Sequence, residues 1–191
     1  MKKALLVLGL IAGSIGFSYA QKSAVTFGVK GGVNFASLTA SGGGYSVNSG
    51  NITSFHIGGV ADIPVGDSFS IQPGILYSGK GASGSTLGYI EVPVNLLYST
   101  GSGSGKFFFG AGPYFGYGVS ASNGNKFGSG TNDIANPDFG LNILAGYRFE
   151  SGLSFSAGYG LGLANLNNDK SSGNVTVKNN VTSISVGYFF Q

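Results

Sequence analysis

The sequence contains no cysteine and few charged residues, and both shortages limit what the protein can be. Without cysteine, the chain forms no disulfide bond and carries no lipid on a cysteine side chain. Charged residues make up 9% of the chain, whereas an ordinary soluble domain has about 25%. A soluble protein of this length needs more surface charge, but a protein whose outside is covered by lipid needs less.

The small positive charge does not indicate a nucleic-acid partner. The formal net charge is +3, and Lys2 and Lys3 at the N-terminus contribute two of these charges. The rest of the chain has no basic patch or stripe of the kind that nucleic-acid binders show. We therefore predict no nucleic-acid binding. The aromatic content of 13% also argues against disorder.

The N-terminus has the pattern of an export signal. Lys2 and Lys3 precede an apolar run over residues 4–17, and Ser18-Tyr19-Ala20 forms a small-x-small cleavage site. The apolar run is shorter than the ~20 residues that a membrane-spanning helix needs. The sequence therefore predicts a signal peptide over residues 1–20 and one domain over residues 21–191. The alternative is an N-terminal anchor that is retained.

Eight segments alternate apolar side chains with small or polar ones. Because successive side chains of a strand point to opposite faces, each segment has one apolar face and one small, polar face. Such strands predict an all-β fold, an eight-stranded antiparallel up-and-down transmembrane β-barrel in the outer membrane. The predicted strands are 24–36, 54–65, 68–79, 88–99, 106–119, 137–149, 152–165 and 175–190.

The predicted connections alternate between short and long, as in outer-membrane barrels with periplasmic turns and outside loops. Tight, turn-rich connections follow the second, fourth and sixth strands. Longer polar stretches follow the other strands, and the ranges of these predicted outside loops are 38–53, 80–87, 120–136 and 166–173. This order predicts both termini in the periplasm.

The predicted outward face is uncharged, as a lipid-facing surface requires. It includes Ile71, Val92 and Ile143, with Phe and Tyr gathered near the strand ends as an aromatic girdle. The expected surroundings are outer-membrane lipid and lipopolysaccharide, reached through the barrel-assembly machinery. A soluble lipocalin-type barrel would reverse the faces, but its exterior needs more charge than this chain has.

The predicted inward face carries glycine, which makes room in a narrow barrel, and most of the strand charge. Charges in a low-dielectric interior should pair. We expect ion pairs across the lumen, with Asp62 and Arg148 near the periplasmic end and Lys30 and Glu91 nearer the middle or the outside end. The role of this network is packing and fold specificity, or alternatively conduction. Its predicted members are Lys30, His56, Asp62, Glu91, Asp138 and Arg148.

Three prolines fall inside predicted strands at Pro73, Pro93 and Pro113. Proline cannot donate a hydrogen bond to a ladder, and a closed barrel has no edge strand that could accommodate it. The sequence predicts local β-bulges at these positions.

The segments around these prolines resemble the PorT-like outer-membrane β-barrel family. The resemblance spans residues 24–190 and implies a membrane barrel with no assigned catalytic residue and no cofactor. The founding member of that family is linked to a secretion apparatus. The motifs that carry the resemblance are Ser70-Ile71-Gln72-Pro73-Gly74-Ile75-Leu76-Tyr77, Tyr89-Ile90-Glu91-Val92-Pro93-Val94-Asn95-Leu96-Leu97-Tyr98, Gly110-Ala111-Gly112-Pro113-Tyr114 and Asp138-Phe139-Gly140-Leu141 through Gly146-Tyr147.

These observations favour a non-enzymatic outer-membrane barrel with a structural or surface-interaction role, exerted through the outside loops at 37–53 and 120–136. One alternative is a narrow pore or a component of a secretion machine. Another is a hydrolase of lipids or peptides, in which the single histidine, His56, would act with Ser54, Ser78 or Asp138. No metal site is predicted, because one histidine and scattered acids are a poor ligand set.

Overall fold

A computed structural model describes residues 24–101, 103–131, 133–169 and 175–190. The predicted signal peptide over residues 1–20 lies outside the described residues. Eight strands follow one another along the chain. They are β1 (Thr26–Gly42), β2 (Tyr45–Pro64), β3 (Phe69–Ala82), β4 (Ser85–Thr100), β5 (Gly105–Ala121), β6 (Asp138–Phe149), β7 (Leu153–Gly162) and β8 (Thr176–Phe189).

The eight strands close into an antiparallel barrel in which every strand pairs with its sequence neighbours and β1 pairs with β8. The predicted fold class is therefore confirmed. Both described ends of the chain and the three short connections after β2, β4 and β6 lie at one end, which we call the turn end; the opposite end is the loop end. No helix in the described ranges is long and apolar enough to cross a membrane.

The apolar face of each strand points away from the barrel axis, as the alternation predicts. Ile71, Val92 and Ile143 are 37%, 40% and 59% exposed, whereas Glu91 on the opposite face is 7% exposed. The lumen also holds bulky side chains, such as Leu97 at 1% exposure. The interior of this narrow barrel is therefore filled by side chains, as expected for eight strands.

Aromatic side chains form an outward-facing girdle near the turn end. Edge-to-face contacts join Phe107 to Tyr147 at 4.8 Å between ring centroids, Tyr147 to Phe149 at 4.9 Å, and Tyr188 to Phe190 at 5.6 Å. Such contacts suit the membrane interface, where amphipathic rings sit at the level of the lipid headgroups.

Two of the four predicted outside loops are wrong, because the strands continue through them. β1 and β2 extend to a two-residue turn at Gly43 and Gly44, and β3 and β4 extend to a turn at Ser83 and Gly84. Gly43 and Gly44 have φ of 58° and 83°, the left-handed region that a tight hairpin turn requires. The extended β1–β2 hairpin, residues 37–53, is called the ribbon below.

The predicted bulges at the three prolines are also wrong. Near each proline one ladder skips two residue pairs and then resumes in the same register. In the β2–β3 ladder, Val60 pairs with Gly74 and Ile63 pairs with Ile71, so the pair that would include Pro73 is skipped. A gap of this kind removes the need for the missing donor without inserting an extra residue. Register shifts occur elsewhere, between Ser37 and Thr39 and between Gly88 and Tyr89.

Candidate functional site in the barrel lumen

A charged pair spans the lumen near the turn end. Arg148 on β6 donates from Nη1 to Oδ2 of Asp62 on β2 at 2.5 Å, and both residues are less than 10% exposed. The guanidinium lies 3.5 Å from the ring centroid of Phe189 and 5.9 Å from that of Phe108. The cation therefore has a carboxylate partner and two aromatic faces, which together compensate part of its desolvation.

The single histidine lies in the middle of the lumen and bonds through both ring nitrogens. The Asn34 side chain donates from Nδ2 to the Gly79 carbonyl at 2.9 Å and to the Ser78 hydroxyl at 3.2 Å. Its Oδ1 therefore accepts from His56 Nδ1 at 2.8 Å, which places a hydrogen on Nδ1. In the neutral imidazole, His56 Nε2 then accepts from the Ser185 hydroxyl at 3.0 Å.

A glycine lets this histidine reach the far strand. Gly32 on β1 pairs with His56 on β2 and with Ser185 on β8, so the three residues form one row across neighbouring strands. Because Gly32 has no side chain, the imidazole passes over β1 and reaches the serine on the next strand. This row depends on the register of two ladders, which the sequence does not reveal.

Gly32→Ala is expected to lower the free energy of unfolding by about 1–3 kcal/mol through overpacking. The added Cβ would overlap the Ile184 carbonyl oxygen and lie 2.7 Å from His56 Cε1. The matched control is Gly31→Ala, whose Cβ meets no atom closer than the His56 carbonyl oxygen at 3.5 Å. Denaturant titration of the two variants in detergent measures the difference, and equal stabilities would contradict the account of the row.

The residues predicted to act with His56 in a hydrolase are not its partners. Ser185 contacts the imidazole, whereas Ser54 and Ser78 make no hydrogen bond with it in the described part of the chain, and Asp138 belongs to a separate cluster. The amide–imidazole–hydroxyl order matches that of an orienting group, a base and a nucleophile. Ser185 is only 2% exposed, so the geometry favours a packed polar network.

A second charged cluster spans the lumen toward the loop end. Lys80 Nζ lies 2.6 Å from Glu91 Oε2 and 3.1 Å from Asp138 Oδ2, and all three side chains are buried. Asn179 Nδ2 also donates to Asp138 Oδ2 at 3.1 Å. The ammonium lies 3.9 Å from the ring centroid of Tyr114. The cluster therefore combines charges from β3, β4 and β6 with aromatic and amide partners.

Lys80 is the central residue of this cluster, and sequence reasoning missed it. The sequence predicts the end of β3 at residue 79 and a loop from residue 80, whereas the strand continues to Ala82. Gly79 and Gly81 flank the lysine and hide the alternation, because glycine fits either face. The one available signal is that residue 80 has the same parity as the inward-facing residues of β3.

Lys30 faces the lumen between the Arg148–Asp62 pair and the Lys80 cluster. Glu91 pairs with Lys80 and not with Lys30, and Lys30 forms no ion pair within the described ranges. Lys30 and Asn95 line a cavity of about 70 Å³ in the middle of the barrel. This volume is large enough for water but far below the ~300 Å³ of a typical small-molecule site.

The long β5–β6 connection folds over the lumen as a cap, which we define as residues 122–137. Phe127 packs edge-on against the inward-facing Tyr89, with 5.2 Å between ring centroids. Asn136 fixes the cap to β5 by accepting from the Gly118 amide at 2.9 Å and donating to the Gly118 carbonyl at 3.1 Å. The Ala135 amide donates to the Leu166 carbonyl at 3.0 Å. The cap thus covers the Lys80 cluster from outside.

Taken together, the six predicted lumen residues all face the interior, but they form separate groups. Two form the turn-end pair, two join Lys80 near the loop end, and Lys30 and His56 lie between these groups. The described residues include no group of three or more His, Asp or Glu side chains placed to hold a metal ion. This arrangement is suited to filling and closing the lumen.

Comparison with known proteins supports the same architecture. The family model described as outer membrane protein beta-barrel domain matches residues 19–168, well over half of the chain. A comparison with curated protein sequences found no match.

Among solved structures, Neisserial surface protein A has a TM-score of 0.53 and 17% sequence identity, covering 88% of this chain and 100% of that chain. The attachment invasion locus protein Ail of Yersinia pestis has a TM-score of 0.48 and 13% identity, covering 88% and 100%. The outer membrane protein OprG of Pseudomonas aeruginosa has a TM-score of 0.49 and 14% identity, covering 88% and 97%. The barrel closure, the outward apolar face and the family match lead to one conclusion: the chain belongs to the outer membrane protein β-barrel domain family.

Proposed function

We propose that the protein is a non-enzymatic integral outer-membrane barrel that acts through the surface it displays at the loop end. The observation that carries this proposal is that buried ion pairs span the lumen at two levels, Arg148 with Asp62 and the cluster around Lys80. Because buried side chains occupy the narrow lumen at both levels, the surfaces considered at the loop end are the ribbon and the cap.

The composition of the ribbon supports an aqueous location. Phe55 and Tyr77 face outward with 5.5 Å between their ring centroids, a level suited to the outer interface. Beyond them the ribbon is rich in Ser, Thr, Asn and Gly. Tyr45 and Val47 near its tip are 81% and 65% exposed. In outer-membrane barrels the short turns face the periplasm, so we propose that the ribbon and the cap face the cell exterior.

Single cysteines in this cysteine-free chain test the orientation. In intact cells, Val47→Cys in the ribbon is expected to react with a membrane-impermeant maleimide, because the side chain is 65% exposed. Asp67→Cys, in the turn between β2 and β3, is expected to react only after the outer membrane is permeabilised. Gel-shift labelling measures both.

The reverse labelling pattern would overturn the proposed orientation. A steady ionic current through the reconstituted wild-type barrel in a planar bilayer would show that the lumen conducts and would favour the narrow-pore function. Hydrolysis of lipids or peptides that His56→Ala abolishes would instead favour the enzymatic alternative.

Within the family, we propose that the chain is a PorT-like barrel exported by a signal peptide over residues 1–20. The support is the resemblance of the strand motifs around Pro73, Pro93 and Pro113, which lie on neighbouring strands and each interrupt a ladder. The proposal does not include the secretion role of that family's founding member. We also propose that lipid and lipopolysaccharide surround the outward face of the barrel and that the barrel-assembly machinery inserts it.

A further inference from the structure

The ribbon has one strand edge that no other strand covers. β2 pairs with β1 from Tyr45 to Asp62, but its pairing with β3 begins only at His56. Over the upper part of β2, residues 45–55, the side that faces away from β1 has no ladder partner. Backbone groups on such an edge are free to pair with another polypeptide.

The opposite edge of the same protruding sheet is covered by another segment of the chain. β8 pairs with β1 along the ribbon, and its outer side is bonded by the segment after β7. The Leu166 amide donates to the Val177 carbonyl at 2.8 Å, and the Val177 amide donates to Asn165 Oδ1 at 2.9 Å. Asn167 Nδ2 donates to the Val175 carbonyl at 3.1 Å. The fold therefore covers one edge of the sheet and leaves the other.

Near the tip of the uncovered strand, side chains bond toward β1, whereas lower down Ser54 Oγ donates to the Gly79 carbonyl of β3 at 2.6 Å. Asn48 Nδ2 donates to the Ser37 hydroxyl at 3.4 Å, and Ser49 Oγ donates to the Leu38 carbonyl at 2.8 Å. The β3–β4 turn lies close to β2 at Gly50, where an added Cβ would be 3.2 Å from Ser83 Cβ. The segment beyond that point, Tyr45–Ser49, forms what we call the open edge.

The open edge also lacks the features that normally prevent edge-to-edge pairing. Residues 45–55 contain no charged residue and no proline, although both are common on exposed edges in monomeric proteins. Tyr45 and Val47 alternate with Ser46 and Asn48, so one face of the open edge is apolar and the other polar. An added strand would gain cross-strand contacts on the apolar face.

We propose that the open edge binds an extended, uncharged polypeptide segment by main-chain pairing, with apolar side chains of the partner against Tyr45 and Val47. This mode adds a strand to an existing sheet, so main-chain hydrogen bonds supply affinity and alternate side chains supply specificity. The inference rests on the proposed function, because the ribbon must lie outside the membrane for a partner to reach it.

The test uses the full-length barrel in detergent micelles and a short blocked peptide that alternates valine and threonine. Amide hydrogen exchange measured by NMR reports on each backbone N–H of Tyr45–Ser49. The peptide is expected to bind saturably and to slow exchange at the outward-facing amides about tenfold or more, as new strand hydrogen bonds do. The same peptide N-methylated at every residue lacks amide donors and is expected not to bind.

A matched pair of variants locates the binding. Tyr45→Lys with Val47→Lys places charge along the open edge and is expected to weaken peptide binding about tenfold or more. Val175→Lys with Val177→Lys places the same charge on the covered edge and is expected to leave binding unchanged. Equal binding of the N-methylated peptide, or equal loss in both variants, would overturn the proposal. The proposal would also be wrong if the protein forms a dimer without peptide and the open-edge variant is a monomer, since a second copy would then occupy the edge.

Failure of this inference is distinguishable from failure of the proposed function. If Val47→Cys is labelled in intact cells but the peptide does not bind, the surface role stands and only main-chain pairing is wrong. If Val47→Cys is not labelled in intact cells, the proposed orientation fails, and the open edge then has no access to an extracellular partner.

Discussion

Replacing Lys80 with methionine is expected to lower the free energy of unfolding by about 3–5 kcal/mol, the range measured when one partner of a buried ion pair is removed. Lys80 is 2% exposed and lies within 3.1 Å of both Glu91 and Asp138. Methionine fills a similar volume but leaves two buried carboxylates without a cation. Equilibrium denaturation in detergent, followed by tyrosine fluorescence or gel mobility, measures the loss.

The control for this variant is Lys126→Met in the cap. Lys126 is a lysine with a carboxylate partner, Asp133 at 3.5 Å, but its side chain is 76% exposed. An exposed pair contributes at most about 1 kcal/mol, so this variant should unfold nearly as the wild type does. Adding Glu91→Gln and Asp138→Asn to Lys80→Met should recover stability. A Lys80→Met barrel as stable as the Lys126→Met barrel would contradict the role assigned to the cluster.

Ile143→Arg is expected to destabilise the membrane-inserted barrel by about 2–4 kcal/mol, the range for arginine on the lipid face at the bilayer midplane. Ile143 is 59% exposed in the structure and lies midway along β6, between Phe139 near the loop end and Tyr147 near the turn end. A charge there lies in hydrocarbon, where hydration is lost. Unfolding in lipid vesicles with increasing denaturant measures the effect.

Val47→Arg is the matched control, because Val47 is comparably exposed, at 65%, but lies in the ribbon beyond the membrane belt. Its charge stays in water, so the stability should change little. Similar small effects at both positions would mean that the outward face does not meet hydrocarbon. In that case the transmembrane assignment would be wrong, although the barrel geometry would remain.

In the part of the barrel that lipid surrounds, the alternation of apolar and polar residues was enough to predict the strands. One face there meets lipid and the other meets the lumen. Val92, Val94 and Leu96 alternate with buried residues along β4 without interruption. In the ribbon both faces of the strand meet water, so no apolar period marks the strand. The Ser-, Asn- and Gly-rich composition of residues 37–53 therefore predicts a loop, while the structure has paired strands.

The sequence predicted which residues face the lumen better than it predicted which of them contact each other. Parity along each strand assigns Asp62, Glu91 and Arg148 to the interior, and in the structure they are 7%, 7% and 9% exposed. The contacts between strands depend on the stagger of the whole barrel, which no local pattern reports. His56 and Ser185 are 129 positions apart and meet only because two ladder registers align them across a glycine.

The sequence by itself determined the number of strands, the direction of each face and the uncharged belt, since these follow from a two-residue period and from the solvation of each side chain. Only the tertiary structure decided that Lys80 joins two carboxylates in the upper lumen, that Phe127 packs against Tyr89 beside it, and that β2 leaves an edge unpaired. These features depend on register and on where each ladder ends. Both are set by closure of the complete barrel, in which every strand constrains its two neighbours.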